Sequence, residues 1–255
     1  MSRYDLTDFE WSAIEPILPR KSRGVPRVDD RRVLNGIFWV LRSGAPWADL
    51  PGRYGPPTTC YNRFRRWTKA GVWDRIMDAV TAAHDGDVQM IDGTSVRVHH
   101  SAATFKKSHP DRCLGRSRGG LTTKIHAVTD RNGLPIRLAL SEGQAHDITA
   151  ARDLLTGLAK GQLILADKAY DAAWLRHQIE QQGAVPNIPN RAGKKWKSCF
   201  SKTLYKDRNL VERFFNKIKF FRRIATRYDK LGSTYLAMVK LAAIRIWLRF
   251  NESTA

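Results

Sequence analysis

The chain has 255 residues, with 44 Lys and Arg against 24 Asp and Glu, a formal net charge of +20 and a sequence pI near 10.3. An apolar fraction of 42% with eight tryptophans excludes a disordered chain, so the charge must sit on a folded surface, where a polyanion would offset its self-repulsion. No run of about 20 apolar residues exists, which excludes a transmembrane helix.

The most apolar stretch, 235–250, is interrupted by Lys240, Arg245 and Arg249. The N-terminus lacks the apolar core of a signal peptide. Cys60, Cys113 and Cys199 contain no Cys-x-x-Cys pair, so neither a disulfide framework nor a zinc knuckle is suggested, and the cytosol is the natural compartment. Nucleic acid is the first candidate polyanion and an anionic membrane surface the second.

The first 80 residues read as helical. Thr7 or Asp8 caps a helix through Trp11, Ile14 and Ile17, ended by Pro19. Residues 20–26 are basic and rich in Gly and Pro, as a loop would be. Asp29 or Asp30 then caps a helix with Val33, Ile37, Phe38, Val40 and Leu41 at helical spacing, stopped by Gly44 and Pro46. Thr58 or Thr59 starts another, with Tyr61, Phe64 and Trp67 separated by arginines. A short helix around Trp73, Ile76, Met77 and Val80 completes this part.

From about residue 86 the pattern changes to strands. A short apolar strand covers 88–92. Segments 121–129 and 134–140 flank Asp130-Arg131-Asn132-Gly133, a hairpin signal. Asp147 is placed as the cap of a helix through Leu154, Leu155 and Leu158. A strand at 162–166 follows, then a helix near 174–181, a strand near 185–188, a basic loop, a helix containing Glu212 and a final helix over about 235–250. The reading is a helical domain over 1–84 and an α/β domain over 85–255.

Charge is unevenly distributed along this order. Residues 1–80 carry net +5, 81–96 net −3, 97–137 net +7, 138–190 net −2, 191–230 net +11 and 231–255 net +2. Asp92 and Asp167 each close a short apolar strand within the two acidic stretches. Strand ends of an open α/β sheet are where ligands gather, although an Asp at such an end can also simply turn the chain. On a helical wheel, Leu210, Val211, Phe214, Phe215, Ile218 and Phe221 form one apolar side. Glu212 lies opposite, the one acid beside Arg208, Asn216, Lys219 and Arg223.

Three carboxylates drawn from two strands and a helix make a hard oxygen site, which selects Mg²⁺ or Mn²⁺ over zinc. A pair of such ions can activate the attacking oxygen and stabilise the leaving one in phosphodiester cleavage. The surrounding lysines and arginines would hold a nucleic-acid backbone.

The ordered motifs carry a resemblance. Residues 44–51 (GAPWADLP) with 61–67 (YNRFRRW), 91–96 (IDGTSV), 115–126 (GRSRGGLTTKIH), 143–147 (GQAHD), 165–171 (LADKAYD) and 211–219 (VERFFNKIK), running into 222–230 (RRIATRYDK), together resemble the DDE transposases of bacterial insertion sequences, specifically the insertion sequence 5 family. The resemblance implies an RNase H-like catalytic domain, a mixed central sheet with flanking helices, preceded by an all-α helix-turn-helix-like DNA-binding domain. It implies Asp92, Asp167 and Glu212 as catalytic and metal-holding acids with two Mg²⁺ or Mn²⁺ ions, and Lys219 as a contact near the scissile phosphate. Water would free a 3′-OH at each element end, and that 3′-OH would attack the target strand. Double-stranded DNA is the implied partner, both the terminal inverted repeats and the target. A homodimer on paired ends is implied too, in the bacterial cytoplasm on the nucleoid, with no membrane role.

Further basic groups are read as DNA contacts. Arg63, Arg65 and Arg66 lie on a helix following a turn, as a recognition helix would, with a solvated basic face as the plainer alternative. Lys194, Lys195 and Lys197 flank Trp196 in a loop suited to gripping phosphates. Arg116 and Arg118 lie among glycines that allow close approach. His146 is a candidate for ordering the acidic site from behind. His99, His100 and His109 lack a fourth partner at sensible spacing, so no metal is assigned there. Two other functions fit the same residues: a metal-dependent nuclease without strand transfer, and a non-catalytic DNA-binding repressor.

Overall fold

Thr7 starts the first helix through a capping box. Its hydroxyl accepts the Glu10 N–H at 3.1 Å, while the Glu10 carboxylate accepts the Thr7 N–H at 2.8 Å. The computed structural model describes residues 4–20, 28–82, 84, 86–104 and 111–254. The expected loop at 20–26, apart from Arg20, and His109 lie outside them.

In chain order the helices and strands are α1 (Asp8–Ile14), α2 (Asp30–Ser43), α3 (Pro57–Lys69), α4 (Val72–Thr81), β1 (Val88–Val98), α5 (His100–Ala103), β2 (Gly115–Ser117), β3 (Gly120–Thr129), β4 (Pro135–Glu142), α6 (Asp147–Leu154), β5 (Leu163–Leu165), α7 (Ala173–Gln181), β6 (Val185–Asn187), α8 (Lys202–Tyr205), α9 (Asn209–Lys219), α10 (Arg222–Ala225), β7 (Thr226–Arg227) and α11 (Gly232–Thr254). The chain forms two compact units, one drawn from 1–82, 99–104 and 218–255, the other from 83–98 and 105–217. This differs from the division at residue 84, because the chain from Ile218 onward belongs to the helical unit.

That reassignment has a physical cause in α11. Leu241, Ala242, Ile244, Trp247 and Leu248 are all buried, too many for a helix with one wet side. Two ion pairs fix it within the helical unit: Lys240 with Asp74 of α4, and Arg245 with Glu10 of α1, the latter at 2.8 Å. Glu10 is fully buried and Arg245 nearly so. Arg245 also donates to the Asp5 carbonyl at 2.8 Å. Burial pulls its pKa down to about 10 despite the facing Glu10.

In the other unit the sheet runs β4, β3, β1, β5, β6, with β2 beside the opening residues of β3. β1 is antiparallel to β3 from Met90↔Thr129 to Arg97↔Thr122, and parallel to β5 from Val88↔Leu163 to Met90↔Leu165. The strand therefore outruns the expected 88–92, because β3 goes on pairing with it after β5 has ended. Ile91, Val128 and Ile164 from three adjacent strands meet Leu154 of α6 and Leu175 and Ile179 of α7 in one apolar cluster. Asp130 closes the β3–β4 hairpin, its carboxylate accepting the N–H groups of Asn132 and Leu134 at 2.9 and 2.8 Å. Gly133 follows with φ +73, where a Cβ would stand 3.0 Å from the Leu210 carbonyl oxygen. The hairpin tip thus fits directly against the first turn of α9.

Glu10→Gln keeps an acceptor for Thr7 but leaves the Arg245 charge buried without a counter-charge. Urea unfolding should show a loss of about 3 kcal/mol. A loss below about 1 kcal/mol would mean the pair does not hold α11.

Candidate active site

The sheet register sets two carboxylates side by side. Met90 of β1 pairs with Leu165, the last residue of β5; Asp92 lies two residues further along β1 and Asp167 two residues past the end of β5. Neighbouring strands are about 4.8 Å apart, so both acids emerge at one carboxyl edge of the sheet. Asp92 accepts the Gly93 N–H at 2.8 Å. Asp167 caps a short 3-10 turn, Lys168–Tyr170, by accepting the Ala169 N–H at 2.8 Å.

The third acid comes from α9. Val211, Phe214, Phe215 and Ile218 are buried and Glu212 and Asn216 exposed, as the helical wheel requires. Arg208, one turn before Glu212, links it to the sheet. Its Nη1 donates to Glu212 Oε1 at 2.6 Å, its Nη2 donates to Asp92 Oδ2 at 3.0 Å, and Nη2 stands 4.0 Å from Asp167 Oδ2. The Arg208 side chain is only 13% exposed, and its guanidinium lies over the Tyr205 ring, 5.9 Å from the centroid. Burial pushes Asp92 up to about 6, although Arg208 and the Gly93 N–H draw it down. Burial also lowers Arg208, but Asp92 and Glu212 more than compensate and its pKa lies above the ordinary arginine value.

A polar layer that sequence reasoning missed lies behind Asp92. Asp147 accepts Lys124 Nζ at 2.9 Å, and the same ammonium donates to the Ala145 carbonyl at 2.7 Å. His126 is fully buried, with Nε2 2.7 Å from Ser141 Oγ and Nδ1 4.0 Å from Asp147. Burial holds His126 below the ordinary histidine value. A Cβ on Gly93 would stand 2.9 Å from Asp147 Oδ1 and 3.0 Å from His126 Nδ1, so only glycine fits there without displacing this layer. Tyr170 is fully buried, and among the described residues its hydroxyl has no hydrogen-bond partner. Burial raises its pKa far beyond the phenol range, and Asp147, Asp92 and Asp167 add to this.

His146 does not have the expected role. It is exposed, occupies the cap position of α6 without a capping side-chain bond, and leaves His126 as the histidine inside the layer. Asp147 is correspondingly the first residue of α6 rather than its cap. The available signal was strand alternation, which places Lys124 and His126 on one face of β3 opposite Ser95 and Gly93.

The expected DNA contacts divide by exposure. Arg65 and Arg66 line a surface groove with Tyr61, Asn62 and Lys69 on α3. Arg63 does not: it is buried, ion-paired with Asp30 and stacked over Trp67. Arg223 is likewise buried, donating to Asp229 at 3.2 Å and to the Ala45 carbonyl at 3.3 Å. Arg208 is spent on the acids rather than presented to solvent. Lys194 donates to the buried Asp171 at 2.9 Å, so it ties down its loop. Lys195, Lys197, Arg116 and Arg118 are exposed, as is Trp196 at 80%. Lys219, the last residue of α9, is half-buried, and burial lowers its pKa.

Among the described residues no three His, Cys, Asp or Glu side chains already form a metal cage. The space between Asp92, Asp167 and Glu212 is held by the Arg208 guanidinium. The donors are all carboxylate oxygens and already converge on a single cationic group, so their chemistry fits a hard divalent ion in its place. No helix among the described residues is long and apolar enough to cross a membrane.

Comparison with known proteins agrees over nearly the whole chain. Residues 83–247 match the family model "Transposase DDE domain", and residues 6–77 match "Putative transposase of IS4/5 family". A Brucella ovis protein named "Putative transposase for insertion sequence element IS6501" is 40% identical over 130 residues, covering 51% of this chain and all of that one. The Sinorhizobium fredii protein y4sN is 34% identical over 109 residues, 42% of this chain and 87% of its own. Among solved structures, a piggyBac transposase synaptic complex with hairpin DNA aligns with a TM-score of 0.53 at 12% identity, over 95% of this chain and 71% of that one. The fold is RNase H-like with an N-terminal helical region.

Asp171 gives a pH-dependent test of the loop. Burial alone would raise its carboxyl, but the Arg191 N–H, Lys194 and Arg176 outweigh it and hold it at about 2, against an ordinary 3.8. The folded value is depressed, so the stabilisation is fully present above about pH 4 and is lost as pH falls towards 2. Asp171→Asn should therefore cost on the order of 2 kcal/mol at pH 6 in urea unfolding, with the difference shrinking below pH 4. A difference independent of pH would contradict this.

Proposed function

The chain belongs to the DDE-domain transposases of insertion sequences, and on that premise we propose that Asp92, Asp167 and Glu212 are its catalytic carboxylates, acting on the ends of its own element. The observation that carries this is the convergence of all three acids on one guanidinium, from within β1, from just past the end of β5 and from a separate helix. A salt-bridge network serving stability alone has no need to gather three carboxylates at the ligand edge of a parallel strand pair.

The family generally uses divalent metal ions. Here Asp92, Asp167 and Glu212 would hold two of them, Mg²⁺ or Mn²⁺. When bound, such ions polarise the phosphoryl group and stabilise the attacking and leaving oxygens. The chain's own groups do the rest. The β1–β5 register keeps Asp92 and Asp167 adjacent, and the Gly133–Leu210 contact seats the helix that delivers Glu212. Asp147, fixed by Lys124, and the neutral His126 support β1 at Gly93. Burial keeps the Tyr170 hydroxyl protonated and neutral near the acids.

The reaction cleaves a phosphodiester with water, leaving a 3′-OH and a 5′-phosphate, and then joins that 3′-OH to a target phosphate with release of a target 3′-OH. Double-stranded DNA is the partner, gripped by Arg65, Arg66 and Lys69 on α3, by the exposed Arg116, Arg118, Lys195 and Lys197, and by Lys219 and Asn216 on α9. Support comes from the exposure of Arg66, Lys69, Arg116, Arg118, Lys195 and Lys197, from the groove that Arg65 also lines, and from the insertion-sequence relatives. The working form is a homodimer on paired ends in the bacterial cytoplasm, associated with the nucleoid.

Asp92→Asn, Asp167→Asn and Glu212→Gln should each lower cleavage of an end-containing duplex by about 10³-fold or more, as expected when a clamp worth several kcal/mol is lost. End binding in a gel shift should survive. Cleavage within about threefold of wild type by Asp92→Asn would end the assignment. Arg66→Ala should weaken DNA binding across sequences and reduce the slope of log K against log salt by about 1. An unchanged slope would remove α3 from the DNA surface.

A further inference from the structure

We propose that Arg208 is a built-in counter-ion occupying the metal position of the acidic cluster, and that divalent ions load by exchange with its guanidinium. This rests on the reading of Asp92, Asp167 and Glu212 as the metal-holding acids.

The geometry is mutually exclusive. Nη1 binds the Glu212 carboxylate at 2.6 Å, while Nη2 binds Asp92 at 3.0 Å and stands 4.0 Å from Asp167. A guanidinium is cationic and only donates, so where it binds one oxygen each of Glu212 and Asp92 it puts its own positive charge in the space between the acids. A cation cannot bridge the three acids while Arg208 does.

The arginine is also set in place rather than draped over the site. Its side chain is 13% exposed, the Tyr205 ring lies beneath it, and its Nε is buried with no hydrogen-bond partner among the described residues. A surface arginine seeking solvent would not leave that donor unused. The arrangement solves a specific problem: adjacent carboxylates at the edge of an apolar sheet repel each other when no ion is present. Arg208 supplies one positive charge to the empty site, and a divalent ion supplies two, so exchange is electrostatically downhill once the ion arrives.

Exchange has a consequence for loading order. A group that competes with the ion raises the ion concentration needed for binding. Anything that gives the guanidinium another partner lowers it again, because the two equilibria are linked. A DNA phosphate is such a partner, so ion affinity should be higher on DNA than off it. Arg208 is then a positioning residue that couples metal loading to the presence of substrate.

The test uses Mn²⁺ alone, without DNA, with free ion counted by electron paramagnetic resonance on the full chain. Arg208→Gln should bind Mn²⁺ at least about tenfold more tightly than wild type, about 1.4 kcal/mol, since the charged hydrogen bonds to Asp92 and Glu212 no longer compete. Arg213→Gln, which removes an exposed charge one residue from Glu212, should change affinity by less than about twofold if only nearby net charge is altered. Asp92→Asn should abolish binding at this site.

Unchanged or weaker binding by Arg208→Gln, with Asp92→Asn still abolishing it, overturns the exchange and leaves the metal reading standing. Equal tightening by both arginine variants also overturns it. Mn²⁺ binding unaffected by Asp92→Asn overturns the metal reading itself. In the wild-type protein, the Arg208 side-chain resonances in an arginine ¹⁵N spectrum should shift on Mg²⁺ addition, and resonances that stay fixed at saturating Mg²⁺ count against exchange whatever the variants do.

Discussion

Carboxylates placed side by side where a parallel strand pair stops repel each other unless a cation lies between them, and much of the sheet unit is arranged around that constraint. The β1–β5 register brings Asp92 and Asp167 close together just beyond the last paired residues, Met90 and Leu165. The cation is supplied from α9 and the turn before it, which bring Arg208 and Glu212 to the same edge. That helix is in turn seated by the hairpin, through a glycine where any side chain would meet Leu210. Hairpin, register and helix are therefore one device for setting the distance between three acids.

The net charge of +20 takes on a different meaning once burial is known. Arg63, Arg176, Arg223 and Arg245 are buried against Asp30, Asp171, Asp229 and Glu10, so they belong to the interior. Arg208 neutralises the site itself. The charge left for a polyanion comes from groups such as Arg66, Lys69, Arg116, Arg118, Lys195 and Lys197, which are exposed. A strongly basic surface and an acidic cluster are compatible in one chain because Asp92, Asp167 and Glu212 are gathered around Arg208 while these exposed cations lie elsewhere.

Much of this was legible in the sequence. Asp92 and Asp167 are marked by their place after short apolar runs, and Glu212 by being the one acid on the basic side of an amphipathic helix. The helical N-terminal region, the hairpin and the strand order all follow from periodicity, caps and turn residues. What periodicity cannot show is pairing across long separations. Arg208 and Asp92 are 116 residues apart, so the sequence offers Arg208 only as one more cation on a basic face. Arg63 and Arg223 were misread for the same reason, since a paired buried arginine and a free surface arginine look alike in composition. His126 stands in an apolar strand and Asp147 at a helix start, and only the sheet register brings them together behind Gly93. The compact units also depart from a simple division at residue 84, because α11 finds ion-pair partners, Asp74 and Glu10, more than 160 residues away.

The central claim is that the edge carrying Asp92, Asp167 and Glu212 is a divalent-ion site now filled by an arginine. Crystals of the protein soaked in Mn²⁺ and measured at the manganese absorption edge address it directly. The account requires an anomalous peak between Asp92 and Asp167, with the Arg208 guanidinium withdrawn from both Asp92 and Glu212. A peak elsewhere, or Arg208 still bridging the acids at saturating Mn²⁺, would contradict it.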